Sequence, residues 1–197
     1  MFDHVTHWTL DRLDSIDHEK RVANWANQLF ELTVDRHGLD ENYRPILHMA
    51  AMVHDVGRAE EDEEHPKIGA KWIRDDRSLN LPKNVRNCLA YLTRRHRGER
   101  RPIESDKWFV PMTTADRRAW PIILTLLRAA DAMDSRGRGP MAQAVTRSGD
   151  QLLVQFQHNP RHHIALYRFS AADKLQELSQ ELRLSVRTIL PNNRRVA

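Results

Sequence analysis

The sequence is poor in the residues that build disulfides, phosphate-binding loops and membrane spans. Cys88 is the only cysteine among 197 residues, which excludes an internal disulfide and a zinc site made of cysteines. The seven glycines form neither a Gly-x-Ser-x-Gly motif nor a glycine-rich phosphate loop. The longest apolar stretches, such as residues 121–127, are far shorter than the ~20 residues that cross a bilayer. Because the first residues also lack the features of a signal peptide, we expect a cytoplasmic protein without membrane association.

Arginine and histidine are abundant instead. Lysine and arginine together number 31 against 27 acidic residues, which gives a formal net charge of +4, and 25 of the 31 are arginine. Guanidinium groups bind phosphates through two parallel hydrogen bonds, so this excess favours a phosphate-rich ligand. The chain also has eleven histidines, and their positions carry the functional interpretation.

Hydrophobic spacing predicts a mainly α-helical domain over residues 1–138 followed by a small appendage over residues 139–197. The main helices are expected at residues 17–37, 41–54, 66–73, 82–96 and 116–134, with Pro121 kinking or dividing the last of them. After residue 138, two alternating segments flank Ser148-Gly149-Asp150, which predicts a hairpin. A helical stretch and a last alternating segment follow. The predicted fold is therefore a helical bundle with a C-terminal ββαβ appendage.

Four polar residues stand at positions where the predicted helices are otherwise apolar. His54 and Asp55 end a helix that is apolar almost all round, Asp131 lies inside an apolar stripe, and His18 begins the first long helix. Buried polar groups need a partner, and a cation between the helices satisfies all four. Nitrogen and carboxylate ligands without thiolates suit Mn, Fe, Co, Ni or Zn, and also Mg where enough oxygen ligands are present.

This order of residues resembles the HD superfamily of metal-dependent phosphohydrolases. His18, His54, Asp55 and Asp131 match its four signature positions one by one, and the resemblance implies an HD-type helical bundle. The segments around His18 and His96, together with residues 126–134 and the terminal ββαβ pattern, look most like the HD domain at the C-terminus of exopolyphosphatase/guanosine pentaphosphatase proteins.

The resemblance also implies a second ion and a reaction. Two further histidines, His65 and His96, stand where two-metal members of the superfamily have ligands. Asp55 would then bridge two divalent ions, and a metal-bound hydroxide would attack phosphorus. The expected metal ligands are His18, His54, Asp55, His65, His96 and Asp131.

Arginines near these ligands are the expected phosphate contacts. Arg58 follows the His-Asp pair, Arg21 lies three residues after His18, and Arg128 lies three before Asp131. A solvated basic face explains the arginines around His96 nearly as well as a phosphate clamp does. The expected substrate-binding residues are Arg21, Arg58, Arg94, Arg97 and Arg128, and the expected catalytic residues are Asp55, Arg58 and Arg128.

Two functions of different classes fit these observations. The first is a divalent-metal phosphohydrolase that cleaves an ester or anhydride of a nucleotide or a similar small phosphorylated substrate. The second is a non-catalytic module that binds a phosphate-rich ligand such as an alarmone nucleotide, polyphosphate or RNA through the arginine-rich face. The retained ligand set favours the enzyme. A homodimer is compatible with either function.

Overall fold

The computed structural model describes residues 2–98, 105–136, 141–157 and 164–189. The predicted boundary at residues 138/139 lies outside the described residues, so the division into 1–138 and 139–197 stays a prediction. The helices are α1 Phe2–Leu10, α2 Asp17–Leu32, α3 Val34–His37, α4 Arg44–Val53, α5 His65–Asp75, α6 Lys83–Arg95, α7 Thr114–Ala132 and α8 Ile164–Leu182, and two 3-10 turns span Glu41–Tyr43 and Val56–Ala59.

Helix α4 lies at the centre of the helical part. It packs against α1, α2, α6 and α7, and its residues Leu47, Ala50, Ala51 and Val53 are completely buried. The chain leaves α4 directly into the 3-10 turn Val56–Ala59, against which α5 packs. A helix apolar on nearly every side can only be stable in the core, so α4 delivers the polar residues at its end into the interior.

Two helix boundaries differ from the prediction. The helix expected over residues 17–37 is interrupted at Thr33, whose hydroxyl donates to the carbonyl of Leu29 and which has φ −121° and ψ 16°. Gly38 ends the second piece in the left-handed conformation (φ 58°). Helix α7 continues through Pro121 without a break, so the expectation that this proline divides the helix is wrong.

The C-terminal part confirms the ββαβ pattern. Strand β1 (Ala142–Ser148) pairs antiparallel with β2 (Gln151–Phe156), and β2 pairs in parallel with β3 (Ser185–Ile189). Helix α8 connects the two parallel strands, as such a crossover requires, and packs against α7. The fold is thus mainly helical with a small three-stranded sheet. In the part of the chain that the structure describes, no helix is long and apolar enough to span a membrane.

Candidate metal centre

Three of the predicted ligands meet between α2, α4 and α7. His18 lies in the first turn of α2, His54 directly follows α4, and Asp131 lies in the last turn of α7. The Nε2 atoms of the two histidines are 3.3 Å apart, and each is 3.5 Å from Asp131 Oδ1. The side chains of His18 and His54 are almost completely buried, so water is nearly excluded from this cluster, which we call cluster 1.

A second group of ligands meets beside the first. His65 begins α5 and His96 directly follows α6, and their Nε2 atoms are 3.2 Å apart. They lie 2.9 and 3.1 Å from Asp55 Oδ1, respectively, and we call these three residues cluster 2. Asp55 also approaches cluster 1, with Oδ2 3.8 Å from His18 Nε2 and Oδ1 3.7 Å from His54 Nε2. Asp55 therefore lies between the two clusters, where a bridging ligand belongs.

Hydrogen bonds orient the histidine rings. Nδ1 of His54, His65 and His96 each donates to the backbone carbonyl three residues earlier, at 2.7, 2.5 and 2.7 Å, respectively. In His18 the outward Nδ1 lies 3.3 Å from Asp134 Oδ1. A ring that donates through Nδ1 presents the lone pair of a neutral Nε2 inward, which is the usual support for a metal-binding histidine.

The residues present could hold divalent cations. Inward lone pairs only 3.2–3.3 Å apart repel each other unless a proton or a cation lies between them. Ligands about 2.1 Å from a metal lie roughly 3.0–3.5 Å from one another, and most of the donor distances in both clusters fall in or near this range. Within the described residues, three groups of histidine and acidic side chains, all buried except the half-buried Asp131, are close enough to hold an ion: His18, His54, Asp131; His54, Asp55, His96; and His18, Glu19, Asp55.

Electrostatics keep both aspartates ionised. Burial disfavours the charged form, but the neighbouring histidines outweigh it and hold the pKa of Asp55 well below its usual value. Burial also opposes ionisation of Asp131, whose pKa is held well below normal by Lys174 and by His18 and His54. Carboxylates that stay charged in a buried site provide the negative charge that a divalent cation requires.

The same surroundings shift the pKa values of His54 and His96 in opposite directions. Burial lowers the pKa of His54, but the carboxylates of Asp55 and Asp131 outweigh burial and raise the pKa to about 9. In His96 burial dominates and lowers the pKa to about 4. Without a metal, the proton of His54 therefore takes the place of a cation in cluster 1, whereas His96 presents a free lone pair in cluster 2.

Basic side chains cover the outer oxygens of both aspartates. Arg58 Nε lies 2.7 Å and Arg136 Nε 3.0 Å from Asp55 Oδ2, and Lys174 Nζ contacts Asp131 Oδ2. Sequence reasoning placed Arg58 here but did not assign Arg136 to the centre. It missed Lys174, which lies 43 positions from Asp131 and carries no local motif.

Two acidic residues were also missed. Glu19 is completely buried beside His18; its Oε1 contacts Arg136, and its Oε2 has no hydrogen-bond partner within the described residues. Asp134, one turn after Asp131, contacts both His18 and Arg21. In the sequence, only their positions pointed to the site: Glu19 directly follows His18, and Asp134 lies one turn after Asp131.

Other predicted arginines are committed to partners. Arg21 is bound by Asp134. Arg128 is nearly buried and donates to both carboxylate oxygens of Glu177 and to the carbonyls of Arg95 and Gly98. Arg94 is half-buried and Arg97 exposed. Burial and the charges of Arg58 and Arg97 lower the pKa of His65.

A family model matches most of the chain, including every residue of both clusters. It describes domain III of the Ppx/GppA phosphatases, and the match covers residues 8–168. The chain belongs to this domain III family. The matched range spans the residues of both clusters and ends before Lys174. Among curated proteins no match to the chain is found.

Proposed function

We propose that this domain III protein is an HD-type phosphohydrolase that uses two divalent cations to cleave an ester or anhydride of a nucleotide or a similar small phosphorylated substrate. The observation that carries the proposal is the convergence of four imidazole nitrogens and two aspartate oxygens in a nearly dry interior. The family in which the chain lies is named for phosphatases, which agrees with this chemistry.

The ligand set limits the choice of metal. His18, His54 and Asp131 would hold one ion, His65 and His96 the other, and Asp55 would bridge them. Imidazole and carboxylate ligands without thiolate favour Mn, Fe, Co, Ni or Zn over Mg. Two such ions, ~3.5–4 Å apart, would polarise a phosphoryl group and acidify water for attack near neutral pH.

The side chains around the ions have separate tasks. Hydrogen bonds through Nδ1 hold the rings of His54, His65 and His96 in place, so little reorganisation is needed at the moment of reaction. Arg58 and Arg136 lie at the outer oxygen of Asp55, where their guanidinium groups can bind the oxygens of a phosphoryl group. Burial of both clusters excludes bulk water and strengthens these charge interactions.

A binding module is the second candidate. The matched family is domain III of the Ppx/GppA phosphatases, and membership in it does not by itself assign the phosphatase reaction to this domain. Such a module would hold a phosphate-rich ligand on its arginines without cleaving it. Its binding would weaken steeply with salt and survive chelation.

The test measures metal content and phosphate release on protein purified without chelator. We expect nearly two transition-metal equivalents by plasma mass spectrometry and release of phosphate from a panel of nucleotides and phosphate esters. Asp55→Ala should lose the metal and lower turnover by at least ~100-fold. Asp35→Ala, which removes an exposed carboxylate on α3, is the matched control and should change neither.

Single-site variants test the two clusters separately. His65→Ala should lose the ion of cluster 2, and His18→Ala the ion of cluster 1, so each should retain close to one equivalent. Turnover that persists in metal-free Asp55→Ala would contradict the enzyme hypothesis. Phosphate-ligand binding that is unaffected by chelation, with no turnover, would favour the binding module.

A further inference from the structure

Each aspartate of the centre divides its two oxygens between two kinds of partner. Asp55 turns Oδ1 toward His65 and His96 and Oδ2 toward Arg58 and Arg136. Oδ1 thus faces the histidines of cluster 2, whereas Oδ2 faces a layer of basic side chains and also lies 3.8 Å from His18 Nε2.

Asp131 repeats this arrangement with a residue from the C-terminal part of the chain. Its Oδ1 lies 3.5 Å from both His18 and His54, and its Oδ2 contacts the ammonium group of Lys174 on α8. Helix α8 is held beside α7 by packing and by the ion pair of Arg128 with Glu177. The position of Lys174 is therefore set by the fold.

Exposure shows on which side the centre is open. The side chains of the four histidines are 0–4% exposed, whereas Arg58 is 17%, Arg136 27% and Lys174 15% exposed. Asp131 itself is 15% exposed. A ligand that enters from solvent consequently meets the three cations before it reaches the histidines.

We propose that Lys174 is a substrate-binding residue that, together with Arg58 and Arg136, binds the terminal phosphoryl group of the substrate. The inference rests on the proposed function and extends it, because it makes the C-terminal α8 part of the active site. A divalent cation on Asp131 Oδ1 withdraws negative charge from the carboxylate, so the ammonium group becomes available to a phosphate oxygen. An ammonium group is a compact point charge with three rotatable donors, so it can contact Asp131 and a phosphate oxygen at the same time.

The experiment compares the wild type with Lys174→Met by calorimetric titration, first with Mn²⁺ and then with inorganic phosphate on the Mn²⁺-loaded protein. We expect phosphate to bind at least ten-fold more weakly to the variant. Mn²⁺ should bind equally or more tightly, because a positive charge beside Asp131 has been removed. Lys174→Arg, which keeps the charge, should recover part of the phosphate affinity.

Arg147→Met is the matched control. Arg147 lies on β1 and anchors the C-terminal part to α3 through Asp35 and to the carbonyl of Leu32. The control removes a basic contact between the two parts of the chain without touching the centre, and it should bind Mn²⁺ and phosphate as the wild type does.

Two outcomes overturn the inference. Unchanged phosphate affinity in Lys174→Met would show that the lysine does not contact the ligand, and a loss of Mn²⁺ affinity would make it a structural support of Asp131. If the wild type binds no divalent cation, the proposed function fails separately. The phosphate titration without metal then still decides the role of Lys174, with weaker binding to the variant supporting it and equal binding overturning it.

Discussion

Arg128 shows how a basic residue beside a metal ligand can serve the fold instead of the substrate. Its guanidinium group binds Glu177 through two hydrogen bonds and holds the carbonyls of Arg95 and Gly98, which lie on either side of His96. Four of its five N–H groups are thereby used. This favours a positioning role for Arg128 over the substrate-binding and catalytic roles expected from its place in the sequence.

Replacing this residue should therefore cost stability. Arg128→Gln leaves Glu177 and two carbonyls without their donor, and we expect the free energy of unfolding, measured by urea denaturation, to fall by about 2–3 kcal/mol. Phosphate affinity of the folded, metal-saturated variant should not change. Arg21→Gln is the comparison, because this arginine is 42% exposed and should cost less than ~1 kcal/mol. If Arg128→Gln kept the stability of the wild type but lost phosphate binding, Arg128 would be a substrate-binding residue after all.

The sequence could identify the ligand candidates but not the residues that surround them. Asp131 was recognisable because a carboxylate inside an apolar helical stripe is costly without a partner. Lys174 and Arg136 stand in segments where a basic residue is unremarkable. Their roles depend on contacts across 43 and 81 positions of sequence, respectively, and helical periodicity carries no information about such distances.

At the scale of elements, the close approach of α5 to the turn after α4 places Asp55 against His65. A Cβ atom on Gly57 would lie 2.2 Å from the carbonyl oxygen of His65 and 2.6 Å from the amide nitrogen of Gly69. Both neighbours are backbone atoms, so α5 can pack here only because residue 57 has no side chain. Gly57 is therefore a packing contact between the turn Val56–Ala59 and α5.

Gly57→Ala should push α5 away from the centre. We expect a loss of about 1–3 kcal/mol in the free energy of unfolding and, because His65 moves with α5, a fall in bound metal from two equivalents toward one. Gly69→Ala offers a graded comparison, since its Cβ would meet its nearest neighbours at 3.1 Å and should cost less. An unchanged metal content in folded Gly57→Ala would mean that the position of His65 does not depend on this contact.

At the scale of the whole molecule, the two parts of the chain share one centre. The change of hydrophobic periodicity predicted a helical part and a ββαβ part, and the structure confirms both kinds of architecture. The periodicity could not show that α8 would lie beside α7 and bring Lys174 to Asp131, because the spacing of apolar residues in an amphipathic helix does not identify the element against which the helix packs. Tertiary packing, rather than local helix or strand propensity, brings the residues of the site together.

Metal binding should consequently stabilise the whole fold. The six candidate ligands come from α2, α5, α7 and the residues directly after α4 and α6, so only the folded chain presents them together. A free metal concentration 100 times the dissociation constant adds about 2.7 kcal/mol, which for a chain of this size raises the Tm by roughly 5–10 °C. Differential scanning calorimetry of chelated and Mn²⁺-loaded protein measures this rise. Asp131→Asn should lose most of it, and Asp35→Ala should retain it. A bound metal that leaves the Tm unchanged would place the ion at a site that the unfolded chain also offers, and would separate metal binding from the centre between these helices.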